Sequence, residues 1–142
     1  MKFEELDINK WEDFESKSID ITPFDKLSWK KIWVNNFDKN YNYQLAYNQN
    51  FFIPIKILKD HATFIGDKDV VDYNNLLSKN NNIEDFLDLL NKIFQTKISK
   101  LSLYSISEDS DFFSNFRNSE LENLYDVNIE EEDVSPYLLL PE

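Results

Sequence analysis

The sequence predicts an α/β (or α+β) fold with a mixed, largely antiparallel central sheet and flanking helices. Three observations lead there. Short aromatic and β-branched segments separated by polar turns fill residues 43–65. Apolar residues recur at helical spacing on both sides of that region. The chain has 142 residues, the usual size of one domain, so it can bury a core without staples.

Each element has a local reason. Asn9 and Glu12 have N-cap and N3 spacing, which predicts a short helix over 10–15 with Trp11 and Phe14 on one face. Thr22-Pro23-Phe24-Asp25 is a stronger start, combining a capping threonine, proline at N1 and aspartate at N3. The helix it opens is expected to run to Phe37, with Phe24, Leu27, Trp29, Ile32, Trp33 and Phe37 as its apolar face. Segments 43–47, 51–58 and 62–65 then read as an antiparallel meander turned at Asn48-Gln49-Asn50 and Lys59-Asp60. Pro54 lacks a ladder donor, which assigns its strand an edge or bulge position.

Gly66 is the single glycine and precedes Asp67-Lys68-Asp69, a natural place for a tight turn with positive φ. Asn82 is placed to cap a helix from Ile83 to about Gln95, with Ile83, Phe86, Leu87, Leu90 and Phe94 facing inward. Residues 101–106 read as a strand, Ser107 as the cap of a helix to Arg117, and Tyr125, Val127 and Ile129 as an alternating strand. The ending Pro136-Tyr137-Leu138-Leu139-Leu140-Pro141 is an apolar run that needs a covering surface. It is expected to meet a partner surface, and its abrupt stop suggests a piece of a longer chain.

Charge excludes several functions. Residues 1–119 carry 19 acidic and 15 basic side chains, whereas 120–142 carry eight acidic and none basic. Arg117 is the only arginine, and no basic patch of the kind nucleic acids require is visible. No run approaches the ~18 apolar residues of a membrane span, and the acidic N-terminus lacks a secretory signal. The absence of cysteine excludes disulfides and thiolate chemistry and fits a cytoplasmic location.

Sites for chemistry are sparse. One glycine cannot build the glycine-rich phosphate loops, whose backbone N–H groups surround an anion. His61 is the only histidine, and its neighbour Asp60 points to the opposite face of a strand, so a turn or strand-edge role is expected. Asp67, Asp69 and Asp72 have the density of an oxygen-ligand site, but Lys68 interrupts the field and the spacing is not that of a calcium loop; solvated turn residues are expected. No metal or cofactor site is assigned to this chain.

Thr22-Pro23-Phe24, Trp29 and Trp33, Phe51-Phe52-Ile53-Pro54-Ile55, Phe64-Ile65-Gly66 and Asp69 through Asp72-Tyr73 occur in an order that resembles a known family. With the helix from Ile83, the strand at 101–106 and the ending at 135–141, they look like the N-terminal lobe of CelD-like/FemAB-like acyltransferases of the Gcn5-related N-acetyltransferase (GNAT) superfamily. The resemblance covers most of 19–141 and leaves 1–18 as an N-terminal helical extension. It implies a single GNAT-like N-terminal lobe, part of a longer two-lobe protein whose C-terminal lobe carries the acyl-donor machinery. Acyl transfer from acyl-CoA (or, in aminoacylating relatives, charged tRNA) to an amine is the reaction implied for a complete member.

The resemblance makes Asp69, Asp72 and Tyr73 acceptor-facing, and Trp29, Trp33 and Gly66 structural. No catalytic base is assigned. The expected function is a non-catalytic, fold-supporting or acceptor-cleft lobe, inactive alone, whose partner is the missing C-terminal lobe, another chain or a second copy. The alternative is an independent acidic binding or inhibitory module that presents its carboxylates to a basic protein.

Overall fold

A strand buried on both faces sets the architecture. The computed structural model describes residues 1–38 and 40–131. Its central strand, β2 (Phe51–Leu58), buries Phe51, Phe52, Ile53 and Ile55 to 1% exposure or less, so successive side chains enter opposite cores. β1 (Asn42–Tyr47) pairs antiparallel along one edge, with Leu45 opposite Pro54 and Tyr47 opposite Phe52. Asn48 closes the hairpin: its Oδ1 accepts from the Asn50 and Phe51 amides at 3.0 and 2.8 Å.

The other edge of β2 is shared. β4 (Leu77–Ser78) pairs antiparallel with Phe51 and Phe52, while β3 (His61–Phe64) pairs antiparallel with 55–58. β5 (Lys100–Ser102) then lies parallel to β3, which obliges the chain to cross over, and α3 (Ile83–Phe94) makes that crossing. The outcome is a mixed, mostly antiparallel five-stranded sheet. The meander is as expected, but Pro54 sits on the central strand and not at an edge. It falls between the β4 and β3 ladders, where the second edge of β2 changes partner and a missing donor costs little.

Helices cover both faces. On one side α3 and α4 (Asp111–Arg117) pack Phe86, Leu89, Leu90, Ile93 and Phe112 against Ala46, Phe51, Ile53, Ile55, Ala62 and Phe64. On the other, α1 (Ile8–Lys17) and α2 (Leu27–Asn36) pack Trp11, Phe14, Leu27, Trp33 and Val34 against Tyr43, Phe52, Ile65 and Leu77. Residues 1–18, delimited in the sequence as an extension, contribute Phe3, Leu6, Trp11 and Phe14 to this second core. Their helix is capped by Asp7, whose carboxylate accepts from Lys10 N at 3.1 Å, and not by Asn9.

Several local expectations shift for physical reasons. The capping box at Thr22 and Asp25 closes only a 3-10 turn (Pro23–Asp25); Lys26 is extended at ψ 140°, and a new helix begins at Leu27. That helix borrows its cap from α1, since Glu15 Oε2 accepts from Leu27 N at 2.9 Å. The break rotates the apolar face: Leu27, Lys30, Trp33 and Val34 are buried, while Ile32 and Phe37 are 64% and 68% exposed. In α3 the buried set is Phe86, Leu89, Leu90 and Ile93, rotated slightly from expectation. β5 is three residues long, and Ser110, not Ser107, caps α4 by accepting from Phe113 N at 3.1 Å.

No strand forms over 125–129 among the described residues. Tyr125 instead packs its ring on Phe94, 5.3 Å between centroids, and donates its hydroxyl to Asn91, so side-chain anchoring replaces a ladder. The expectation for 134–141 lies outside the described residues. No helix among those described is long and apolar enough to cross a membrane.

Urea denaturation separates the two classes of aromatic. Phe52→Ala, at a site with no exposure, is expected to lose about 3–5 kcal/mol. Ile32→Ser and Phe37→Ser are expected to stay within about 1 kcal/mol of the parent.

Candidate functional site

The polar centre of the molecule lies where β3 ends. Ile65 continues β3 into the core and Gly66 turns the chain with φ of +137°. The glycine is needed twice, because a Cβ here would meet Val71 Cγ2 at 3.0 Å, the Tyr104 hydroxyl at 3.4 Å and Trp29 Cη2 at 3.6 Å. The loop beyond is organised by Asp67, whose carbonyl accepts from Val70 and Val71 N and whose Oδ1 accepts from Asp69 N at 2.9 Å.

Two ammonium groups hold the consecutive carbonyls at this turn. Lys30, on the buried face of α2, donates to Ile65 O at 2.6 Å and to Asn74 Oδ1 at 3.2 Å. Lys56, from the last half of β2, donates to Gly66 O at 2.6 Å and to Asp38 Oδ2 at 2.9 Å. Asp38 Oδ2 also accepts from Trp33 Nε1 at 2.7 Å, and its carbonyl accepts from the Tyr43 hydroxyl. Lys30 Nζ lies 5.2 Å from the Trp29 ring, and Lys56 Nζ lies 4.9 Å from the Tyr41 ring.

Burial dominates the electrostatics. Lys30, 1% exposed, has its pKa lowered from 10.5 to about 8, first by desolvation, with Asp25 opposing and Lys56 reinforcing. That displacement corresponds to about 3 kcal/mol of disfavoured charge. Asp25 is pushed upward by its own burial, against hydrogen bonds from Thr22 and Asn75 and the charge of Lys30. Its carboxylate accepts from Thr22 N and Asn75 N, both at 2.8 Å. Tyr43 is likewise raised, by burial first and then by Asp38.

The sequence-assigned residues lie around this centre. Asp69, Asp72 and Tyr73 are exposed on the loop, and the Tyr73 carbonyl accepts from Thr22 Oγ1 at 3.3 Å. Trp29 and Trp33 stack at 5.4 Å and 11° in a row that continues to Phe24 and Phe37. His61 hydrogen-bonds Ser102 Oγ through Nε2 at 2.8 Å, and burial followed by the charge of Lys100 lowers its pKa. Asp60 turns away to Ser99, so it does not orient the imidazole. Among the described residues no three His, Cys, Asp or Glu side chains converge as a metal site.

Lys30, Lys56, Asp38 and Asn74 escaped the sequence reading, and Asp25 entered it only as a capping residue. A signal existed for two of them. Lys30 follows Leu27 by three residues and precedes Trp33 by three, on the apolar stripe, and Lys56 interrupts an apolar strand. No family model, no curated protein and no solved structure matches this chain.

Thermal and urea unfolding test the centre. Gly66→Ala is expected to cost about 1 kcal/mol or more. Asp38→Ala is expected to cost about 3 kcal/mol, since it strands the Lys56 ammonium and the Trp33 N–H together.

Proposed function

We propose that this chain is a fold-supporting, acceptor-side lobe of an acyltransferase, with the loop over 67–73 facing an amine acceptor. The observation that carries the reading is the construction of that loop. Its base is fixed by buried hydrogen bonds to Ile65, Gly66 and Asn74, while Asp67, Asp69, Asp72 and Tyr73 are presented to solvent. A primary amine is protonated near neutral pH, so fixed carboxylates attract it and an aromatic ring supports its carbon skeleton. The family resemblance of the motifs from Thr22-Pro23-Phe24 through Gly66 and Asp69 to Tyr73 supports the same reading.

In such a transfer the deprotonated amine nitrogen attacks the thioester carbonyl, the C–N bond forms and the C–S bond breaks. The amine proton passes to a base or water, and the thiol leaves with a proton. The residues present do not fit a coenzyme A diphosphate at Gly66, because Val71, Tyr104 and Trp29 fill the space beside it. In this reading donor binding belongs to a second lobe or another chain, and the present residues orient the acceptor.

A second reading is favoured by a different surface. Glu120, Glu122, Asp126, Glu130 and Glu131 are exposed with no basic residue among them, beside exposed Leu124 and Ile129. Such a face suits a basic protein, and the chain is then an acidic binding or inhibitory module.

Calorimetry and NMR on the 142-residue chain test the first reading. Coenzyme A and acetyl-CoA are expected to give no binding heat. Glucosamine and other primary amines are expected to shift the amide signals of 67–73, and Asp69→Asn/Asp72→Asn to weaken that binding by about tenfold. Acyl transfer by this chain alone, or amine shifts confined to other surfaces, would overturn the proposal. Salt-sensitive binding of oligolysine that shifts only 120–131 would select the second reading.

A further inference from the structure

The segment between Gly66 and Asn74 leaves and re-enters the fold through one neck, and the Lys30 side chain bridges it. Lys30 Nζ reaches Ile65 O on the outgoing side and Asn74 Oδ1 on the returning side. Further bonds close the neck: Asn74 N donates to Ser105 O at 2.9 Å and Asn75 N to Asp25 Oδ1 at 2.8 Å. Val71, 1% exposed, holds the middle of the segment inward, while Val70 and Tyr73 are 54% and 43% exposed at its surface. Among the described residues no carboxylate lies within ion-pair distance of Lys30.

We propose that residues 67–73 form a flap, and that hydration of the Lys30 ammonium drives its opening. With the neck closed, the ammonium has two neutral acceptors and no water-exposed surface to speak of. With the neck open, water solvates it. The charged form of Lys30 therefore favours the open flap and the neutral amine favours the closed one. This inference stands on the neck geometry and does not require an acyl-transfer function.

The direction of the pH dependence follows. Lys30 is lowered from 10.5 to about 8 when buried, so between those values the closed flap holds fewer protons than the open one. The closed population gains up to about tenfold per pH unit across that window, and no such gain occurs below it. The surrounding titratable groups are Asp25 from the 3-10 turn, Lys56 from β2 with Asp38 after α2, and the Tyr104 hydroxyl beside Gly66. Asp67, Asp69 and Asp72 on the flap itself are exposed.

Amide hydrogen exchange of the whole chain between about pH 7 and pH 10 tests this. At ordinary positions such as Gln95, at the C-terminal cap of α3, exchange rises in proportion to hydroxide. At Asn74 and Asn75 it is expected to rise to about pH 8 and then flatten, because the growing closed population cancels the added hydroxide. In Lys30→Met the same two amides should follow hydroxide throughout. A flat profile that persists in Lys30→Met marks exchange limited by the opening rate and overturns the proposal, as does a parent profile that never flattens. If Lys30→Met does not fold, carbon-13 NMR titration of the Lys30 side chain in the parent decides: flattening at Asn74 and Asn75 that sets in at the Lys30 midpoint supports the flap, and flattening at another pH sinks it.

Discussion

The burial of β2 on both faces is the constraint on which the rest of the structure depends. A strand that carries Phe51, Ile53 and Ile55 to one side and Phe52 to the other needs a helical layer on each. Neither layer is optional. It also has to place its two awkward residues, Pro54 and Lys56, where their demands are met. The proline falls where the second edge changes partner, and the lysine falls in the last half of the strand, beside Gly66 O and Asp38.

The meeting of the two lysines at one turn has opposite energetic characters. Lys56 keeps a carboxylate partner and some solvent contact, and its hydrogen bond to Asp38 is charge-assisted at both ends. Lys30 has only neutral acceptors and lies deeper. Asp25, the nearest compensating charge, is itself displaced toward its neutral form by burial. Buried groups of opposite sign that both move toward neutrality stabilise each other less than an exposed count of charges suggests. The turn is thus firmly hydrogen-bonded and electrostatically costly at once, a combination often found where a segment has to move or to be positioned accurately.

The charge of the molecule is distributed against the usual arrangement. The chain is acidic overall at −12, yet the deepest ionisable side chain among the described residues is a lysine, and the acidic residues of the flap and of 120–131 face solvent. An exterior field of this sign attracts cations, and the two proposed readings name one each: a protonated amine at the flap or a basic surface near Leu124 and Ile129. Both functional readings share that chemistry. They differ in whether recognition occurs on a loop hydrogen-bonded at its base to Lys30 and Lys56 or along a chain segment anchored through Leu121 and Tyr125.

Local chemistry in the sequence determined much of the architecture. Aromatic and β-branched runs marked β1 to β3, Asn82 marked the start of α3, and the lone glycine marked the turn after β3, because these signals act within a few residues. Only tertiary structure decided what depended on a distant partner. The cap that starts α2 comes from Glu15, and it turned Lys30 inward and Ile32 and Phe37 outward. The alternation at 125–129 found no neighbouring strand among the described residues, so it made no ladder. Above all, the polar centre joins Lys30 to Ile65 and Asn74, residues 35 and 44 positions away. A buried charge is tolerated only where several remote groups happen to converge, and that convergence is a property of the fold and not of any segment's pattern.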